Sequence, residues 1–239
     1  MNRKFIFILV LSFCVINNTS AQEFGKLPPF TKWYQNPLGV SPVSLHTANG
    51  IILPAVAAGA VLIFTSVDST LTHKLSIYGD FGYTKGYYGS FSDLFHSNVG
   101  INFMLRKYMS VGIEITQAHV SDNINNTSGF GIRPFFRFYP YYRDSFKFFF
   151  SSGAGLIYFA DNFPKPSGFF GDMREGTRLN GCPKYGIGAE FKIYNSFMFV
   201  VGIWHAHFSN GNYYGSERNP GHDSNGFSVG LTYFPTNNR

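Results

Sequence analysis

From residue 73 onward, apolar residues recur at every second position in eight separate stretches. Side chains at i and i+2 of an extended chain share a face, so this period commits the chain to strands. The stretch 74–84 places Leu75, Ile77, Phe81 and Tyr83 on one face and Ser76, Asp80 and Gly82 on the other. In 95–105, Val99, Ile101, Phe103 and Leu105 oppose His96, Asn98, Gly100 and Asn102. The pattern returns in 110–120, 130–139, 146–159, 184–193, 197–209 and 225–235. One face is apolar and aromatic throughout. The other is built of glycine, small polar residues and charges of both signs. A soluble sandwich would hide the apolar faces against each other, whereas a transmembrane barrel would turn them to lipid. Alternation alone does not separate the two.

Composition and connection lengths do. Charged residues make up 13% of the chain and aromatic ones 19%, where a soluble domain carries about 25% charged. The mean hydropathy of -0.04 shows that long aliphatic runs do not fill the gap. Twenty-eight Phe and 15 Tyr do. Such a chain has too much apolar surface to stay disordered and too few long apolar runs for a helical multi-span protein. The joins at 106–109, 143–144 and 195–196 are tight, and those over 85–94, 121–129, 160–183 and 210–224 are long. Regular alternation of turns and loops belongs to outer-membrane barrels, and Greek-key crossovers would break it. The expected fold is therefore all-β: an eight-stranded antiparallel transmembrane β-barrel over 73–239, preceded by a short N-terminal helix and extension. An eight-stranded interior is filled by side chains. Asp80, Glu114 and Glu190 are expected to pair there with Arg133, Arg137, Lys147 and Lys192.

The N-terminus sets the compartment. Arg3 and Lys4 precede the apolar run 5–16, and Thr19-Ser20-Ala21 offers small residues for cleavage, so 1–21 reads as an export signal. Its loss removes two basic residues and no acidic one, lowering the net charge from +6 to +4. A lipid anchor at Cys14 fits poorly beside the bulky Phe13. The mature chain then keeps only Cys182, expected to be inert. Residues 22–72 form an extension, proline-rich at first. Its apolar run 48–64, with Pro54 suited to a first helical turn, points to a short helix at about 54–64. That helix would lie at the membrane surface or under the barrel; a spanning helix would tend to hold an exported chain in the inner membrane.

Chemistry concentrates in the last hairpin, Trp204-His205-Ala206-His207-Phe208-Ser209-Asn210-Gly211 followed by Asn219-Pro220-Gly221-His222-Asp223. His205, His207 and Ser209 share the parity of Phe197, Phe199, Val201 and Ile203, and Asp223 that of Phe227, Val229, Leu231 and Tyr233. His207, Ser209 and Asp223 are thus expected to meet on the outer wall of the barrel, at its extracellular rim. A serine activated by an imidazole that a carboxylate orients performs acyl transfer. Side chains two apart are about 6.5–7 Å apart at the backbone, which an imidazole can bridge. Asn219 and the backbone amides of Asn210 and Gly211 are candidates to stabilise the oxyanion. His205 is either a supporting contact or an interface histidine at headgroup depth. Glu217 is a fallback acid. A metal site built from His205, His207, His222 and Asp223 is chemically possible, but it leaves Ser209 and the Asn-Pro-Gly unexplained.

These residues resemble the signature of the outer-membrane lipid A 3-O-deacylases (PagL-like). The likeness extends to Gly176-Thr177-Arg178-Leu179-Asn180 and to Arg133-Pro134-Phe135-Phe136-Arg137-Phe138-Tyr139-Pro140. It implies an eight-stranded outer-membrane barrel whose Ser-His-carboxylate triad hydrolyses an ester-linked acyl chain of lipid A. Ser209 then takes the nucleophile position, His207 the base, Asp223 the acid and Asn219 a donor to the oxyanion, with Asn210 beside the nucleophile. The family's acid is often Glu, one methylene longer. The implied partners are lipid A of lipopolysaccharide and outer-membrane lipid, with no cofactor, no metal and no nucleic acid; a homodimer is left open. Arg174, Arg178 and Arg218 are candidates for lipid A phosphates or plain solvated loop charges. The competing function is a non-catalytic barrel, structural or adhesive, that binds lipopolysaccharide.

Overall fold

The computed structural model describes residues 75–168 and 171–235. The export signal expected over 1–21, the extension over 22–72 and its helix at about 54–64 lie outside the described residues. Ten strands follow in order: β1 (Leu75–Tyr88), β2 (Asp93–Arg106), β3 (Met109–Ser121), β4 (Asn126–Tyr142), β5 (Phe146–Gly153), β6 (Leu156–Phe163), β7 (Thr177–Gly181), β8 (Lys184–Tyr194), β9 (Phe197–Phe208) and β10 (His222–Tyr233). Neighbours pair antiparallel, and β1 pairs with both β2 and β10, which closes the sheet. β5 and β6 both pair with β4 and follow one another along it, as do β7 and β8 along the next strand, so the ten make eight barrel strands.

The two interruptions face each other, at residues 154–155 and 182–183. Pro183 has no N–H for the ladder, yet pairing is carried across: Cys182 N donates to Gly155 O at 2.9 Å and His207 N to Pro183 O at 3.0 Å. A Cβ at position 155 would collide with Ile132 O, so only glycine allows this approach.

The expected outward face is outward. Val99, Ile115 and Phe130 are each 63% exposed, while their neighbours along the strands point into the barrel. Two of the connections read as long are short. β1 and β2 run on to leave only residues 89–92 between them, and β3 and β4 only 122–125. The apolar stripe ends where lipid ends, but an antiparallel ladder needs only backbone groups and continues with polar rungs. Lys85 pairs with Asp93 at 2.8 Å and His119 Nδ1 with Ser128 Oγ at 2.9 Å, each across a register pair. Only the connections 164–176 and 209–221 remain long.

The interior is filled in three layers. Leu94, Val120, Ile157, Phe159, Phe163, Cys182 and Phe208 form an apolar plug at the loop end. Met104, Tyr139, Phe149, Val200 and Trp204 pack towards the turn end. Between them, Arg133 grips Glu114 at 2.6 Å, and Glu190 takes Arg137 at 3.2 Å and Lys147 at 3.5 Å. Asn98 donates to Asp80 at 2.5 Å. Lys192 is a correction: it lies exposed near the β8–β9 turn, beyond the reach of the lumen. The fourth interior cation is Lys184, whose ammonium sits 4.4 Å over the Trp204 ring.

Candidate active site

β9 and β10 form the hairpin that carries the site, and their register sets Asp223 opposite His207 and Asn225 opposite His205. The lower rungs of the same faces carry apolar side chains, of which Phe199, Phe227, Val229 and Leu231 are exposed. Near the rim the same parity delivers imidazoles, a carboxylate and an amide instead. His207 Nδ1 lies 2.7 Å from Asp223 Oδ1. His205 Nε2 stands 3.3 Å from the same oxygen, and His205 Nδ1 is 2.8 Å from Asn225 Oδ1. Two rungs and one diagonal make a polar ladder.

The ladder is also covered: His205, His207 and Asp223 are 2%, 7% and 5% exposed. Tyr185, on β8, lies with its ring 4.6 Å from that of His205. The Tyr87 hydroxyl is 3.4 Å from His205 Nδ1. At such burial the hydrogen bond between His207 and the carboxylate is strengthened by the low local dielectric.

Ser209 lies one residue past the end of β9. It bridges to β7, with Gly181 N donating to Ser209 O at 2.6 Å and Ser209 N to Gly181 O at 3.3 Å. Its side chain is half-buried, and among the described residues no hydrogen bond joins its hydroxyl to His207. The structure therefore brings His207, Asp223 and His205 into contact and leaves Ser209 beside them without a bond. Catalytic hydrogen bonds commonly tighten only with substrate present.

The 209–221 connection is organised by its asparagines. Asn210 N donates to Asn219 Oδ1 at 3.0 Å, and Asn210 Nδ2 reaches Arg218 O at 2.6 Å and Thr177 Oγ1 at 3.2 Å. Asn219 Nδ2 donates to Asn212 Oδ1 at 2.8 Å, which occupies one of its two N–H groups. Gly211, at φ 62, makes the turn after Asn210 in the left-handed region. Gly221, at φ 72, brings the chain back past His207, whose Cε1 would be 3.6 Å from a Cβ there. Glu217 is exposed in the short 3-10 turn Ser216–Arg218, and it is Asp223 that contacts His207.

His222 parts company with the metal reading. Its ring points inward, with Nε2 2.7 Å from Ser92 Oγ and its face against Phe163 at 5.0 Å. Among the described residues, no group of three His, Cys, Asp or Glu is placed to hold a metal ion. Sequence reasoning missed Asn225, Tyr185 and Tyr87. The first two were within reach of the hairpin register. Tyr87 was not, because a register shift between Gly86 and Tyr88 brings it in.

Fold and site together define an eight-stranded outer-membrane barrel with a buried imidazole–carboxylate pair on its last hairpin. The family model for lipid A 3-O-deacylase (PagL) matches residues 114–232. The chain belongs to that family. Among solved structures, Neisserial surface protein A aligns with a TM-score of 0.52 at 9% identity, covering 67% of this chain and 97% of that one. The outer membrane enzyme PagL aligns at 0.47 and 18%, covering 65% and 97%. Ail, the attachment invasion locus protein of Yersinia pestis, aligns at 0.41 and 11%, covering 68% and 99%. These likenesses concern the fold. No curated protein sequence matches the chain.

Proposed function

We propose that this protein is a serine esterase that removes an ester-linked acyl chain from lipid A in the outer leaflet. Ser209 Oγ attacks the ester carbonyl carbon and its proton passes to His207 Nε2. Asp223 keeps the other proton on Nδ1 and stabilises the imidazolium that forms. The oxyanion is met by the Gly211 amide and the second N–H of Asn219 Nδ2. Collapse breaks the bond to the sugar oxygen, which takes the proton from His207. Water then attacks the acyl-serine with His207 as base, releasing a free fatty acid and restoring Ser209.

The observation that carries this reading is the 2.7 Å contact between His207 Nδ1 and Asp223, two residues before a serine and on the lipid-facing parity. Membership of a deacylase family supports the substrate class. The plugged lumen supports entry of the substrate sideways, from the leaflet.

The test is purified protein with lipid A in detergent or lipid. Wild type releases free fatty acid, and Ser209→Ala releases none. Undiminished release by Ser209→Ala overturns the mechanism. No release by folded wild type in either medium favours a barrel that only binds lipopolysaccharide.

A further inference from the structure

Arg174 and Arg218 stand out because, though their side chains are 39% and 41% exposed, each is tied to the other's loop. Arg174 belongs to the 164–176 connection. Its Nε and Nη2 grip both oxygens of Asp172, at 2.9 and 2.7 Å. That fork fixes the guanidinium plane and aims Nη1 across to the 209–221 connection. There Nη1 donates to Ser216 O at 2.9 Å and to Asn219 O at 3.2 Å.

Arg218 makes the return contact. From the 209–221 connection its Nε donates to Glu175 O at 3.1 Å and its Nη2 to Gly176 O at 2.9 Å. The Arg218 carbonyl in turn accepts from Asn210 Nδ2. Each loop thus holds the other's backbone through one arginine, and the seam runs on through Thr177 and Asn210 to the Gly181–Ser209 bridge.

We infer that Arg174 and Arg218 form a reciprocal clasp that positions Asn219, Asn210 and Ser209 for the reaction, and are not contacts for the glycolipid's phosphates. They are positioning residues: they act on substrate only through the loop they hold. Arg174 gives Nε and Nη2 to Asp172 and Nη1 to two carbonyls, and Arg218 gives Nε and Nη2 to two more. A phosphate would therefore have to displace a loop contact to take the Nε–Nη2 face of either guanidinium. The inference rests on the serine esterase reading above. A shift of about 1 Å in a group that must meet an oxyanion costs about 10²-fold in rate, which sets the expected effect.

The test compares two substrates with Arg174→Lys and Arg218→Lys. Lysine keeps the charge but not the fork, so it spares a phosphate contact far more than a clasp. One substrate is bisphosphorylated lipid A; the other is a phosphate-free p-nitrophenyl acyl ester. A clasp predicts that kcat falls about 10²-fold on both substrates, with KM for lipid A within about threefold. Asp172→Asn, which loosens Arg174 without removing it, shifts kcat in the same direction by less. Unchanged kcat on both substrates overturns the clasp. So does a loss confined to lipid A and expressed in KM, which marks a phosphate contact.

Hydrogen exchange separates failure of the clasp from failure of the esterase reading. Faster exchange of the 175–177 and 216–219 amides in the lysine variants, with unchanged thermal stability, supports the clasp even if neither substrate is cleaved. Unaltered exchange overturns it.

Discussion

Replacing Asp223 with Asn exchanges one oxygen for an NH2 group and tests the heart of the site. His207 Nδ1 and His205 Nε2 both converge on Asp223 Oδ1, at 2.7 and 3.3 Å. His207 Nδ1 needs an acceptor at that position, so the asparagine carbonyl oxygen takes it and His207 keeps its tautomer. What is lost is the negative charge beside the imidazolium of the transition state. Charges about 4 Å apart at an effective dielectric constant of about 20 interact by roughly 4 kcal/mol, which is about 10³-fold in rate. Asp223→Asn should therefore lower kcat about 10³-fold with the folded barrel intact. Asp223→Glu, which keeps the charge on a longer arm, should retain far more activity. The assay is fatty-acid release from lipid A under saturating substrate, with heat-modified gel mobility reporting the fold. A loss below tenfold for Asp223→Asn would refute the role given to the 2.7 Å contact.

Three other outcomes follow from the same geometry. Glu114→Ala strands Arg133, which is 4% exposed, and should cost about 3–5 kcal/mol in urea unfolding followed by tryptophan fluorescence; Glu114→Leu with Arg133→Met should recover most of it. Val99→Arg places a charge on the lipid face and should cost about 2–4 kcal/mol near mid-membrane, measured by unfolding from lipid vesicles. In a pH series, loosening of the loops should follow Asp172, whose carboxylate holds the Arg174 fork. Hydrogen bonds from Arg174 hold its carboxyl below the usual range, so its contribution is complete above about pH 4 and goes only as pH falls further. Loop exchange that accelerates well above that pH would contradict the assignment.

The barrel could be read from the sequence because apolar residues recur at period two on its lipid face across eight stretches, with breaks at small residues such as Gly79 and Ser97. Strand length could not, since the rungs above the lipid carry polar pairs such as Lys85 with Asp93 that have no apolar period. The paired interruptions at 154–155 and 182–183 were also hidden, although Pro183 and Gly155 mark the place. At the site, parity foretold that His207 and Asp223 would meet, because hairpin register fixes cross-strand neighbours. It could not foretell that Arg174 and Arg218 reach between loops. Contacts made by long side chains across irregular connections have no sequence period to betray them.

The polar ladder and the lipid wall are one surface. The same parity that exposes Phe199 and Leu231 delivers His207 and Asp223 a few rungs higher. On the esterase reading the covered ladder lies where acyl chains give way to headgroups, since polar groups facing hydrocarbon are costly. An ester bond joining an acyl chain to a sugar lies at that same boundary. The loop end of the lumen, meanwhile, is filled by the Phe159, Phe163 and Phe208 plug. On the esterase reading, an outer-leaflet lipid meets the nucleophile by lateral diffusion alone, without leaving the membrane. The barrel then serves as a rigid post, holding a cross-strand imidazole and carboxylate at the depth where the scissile bond already sits.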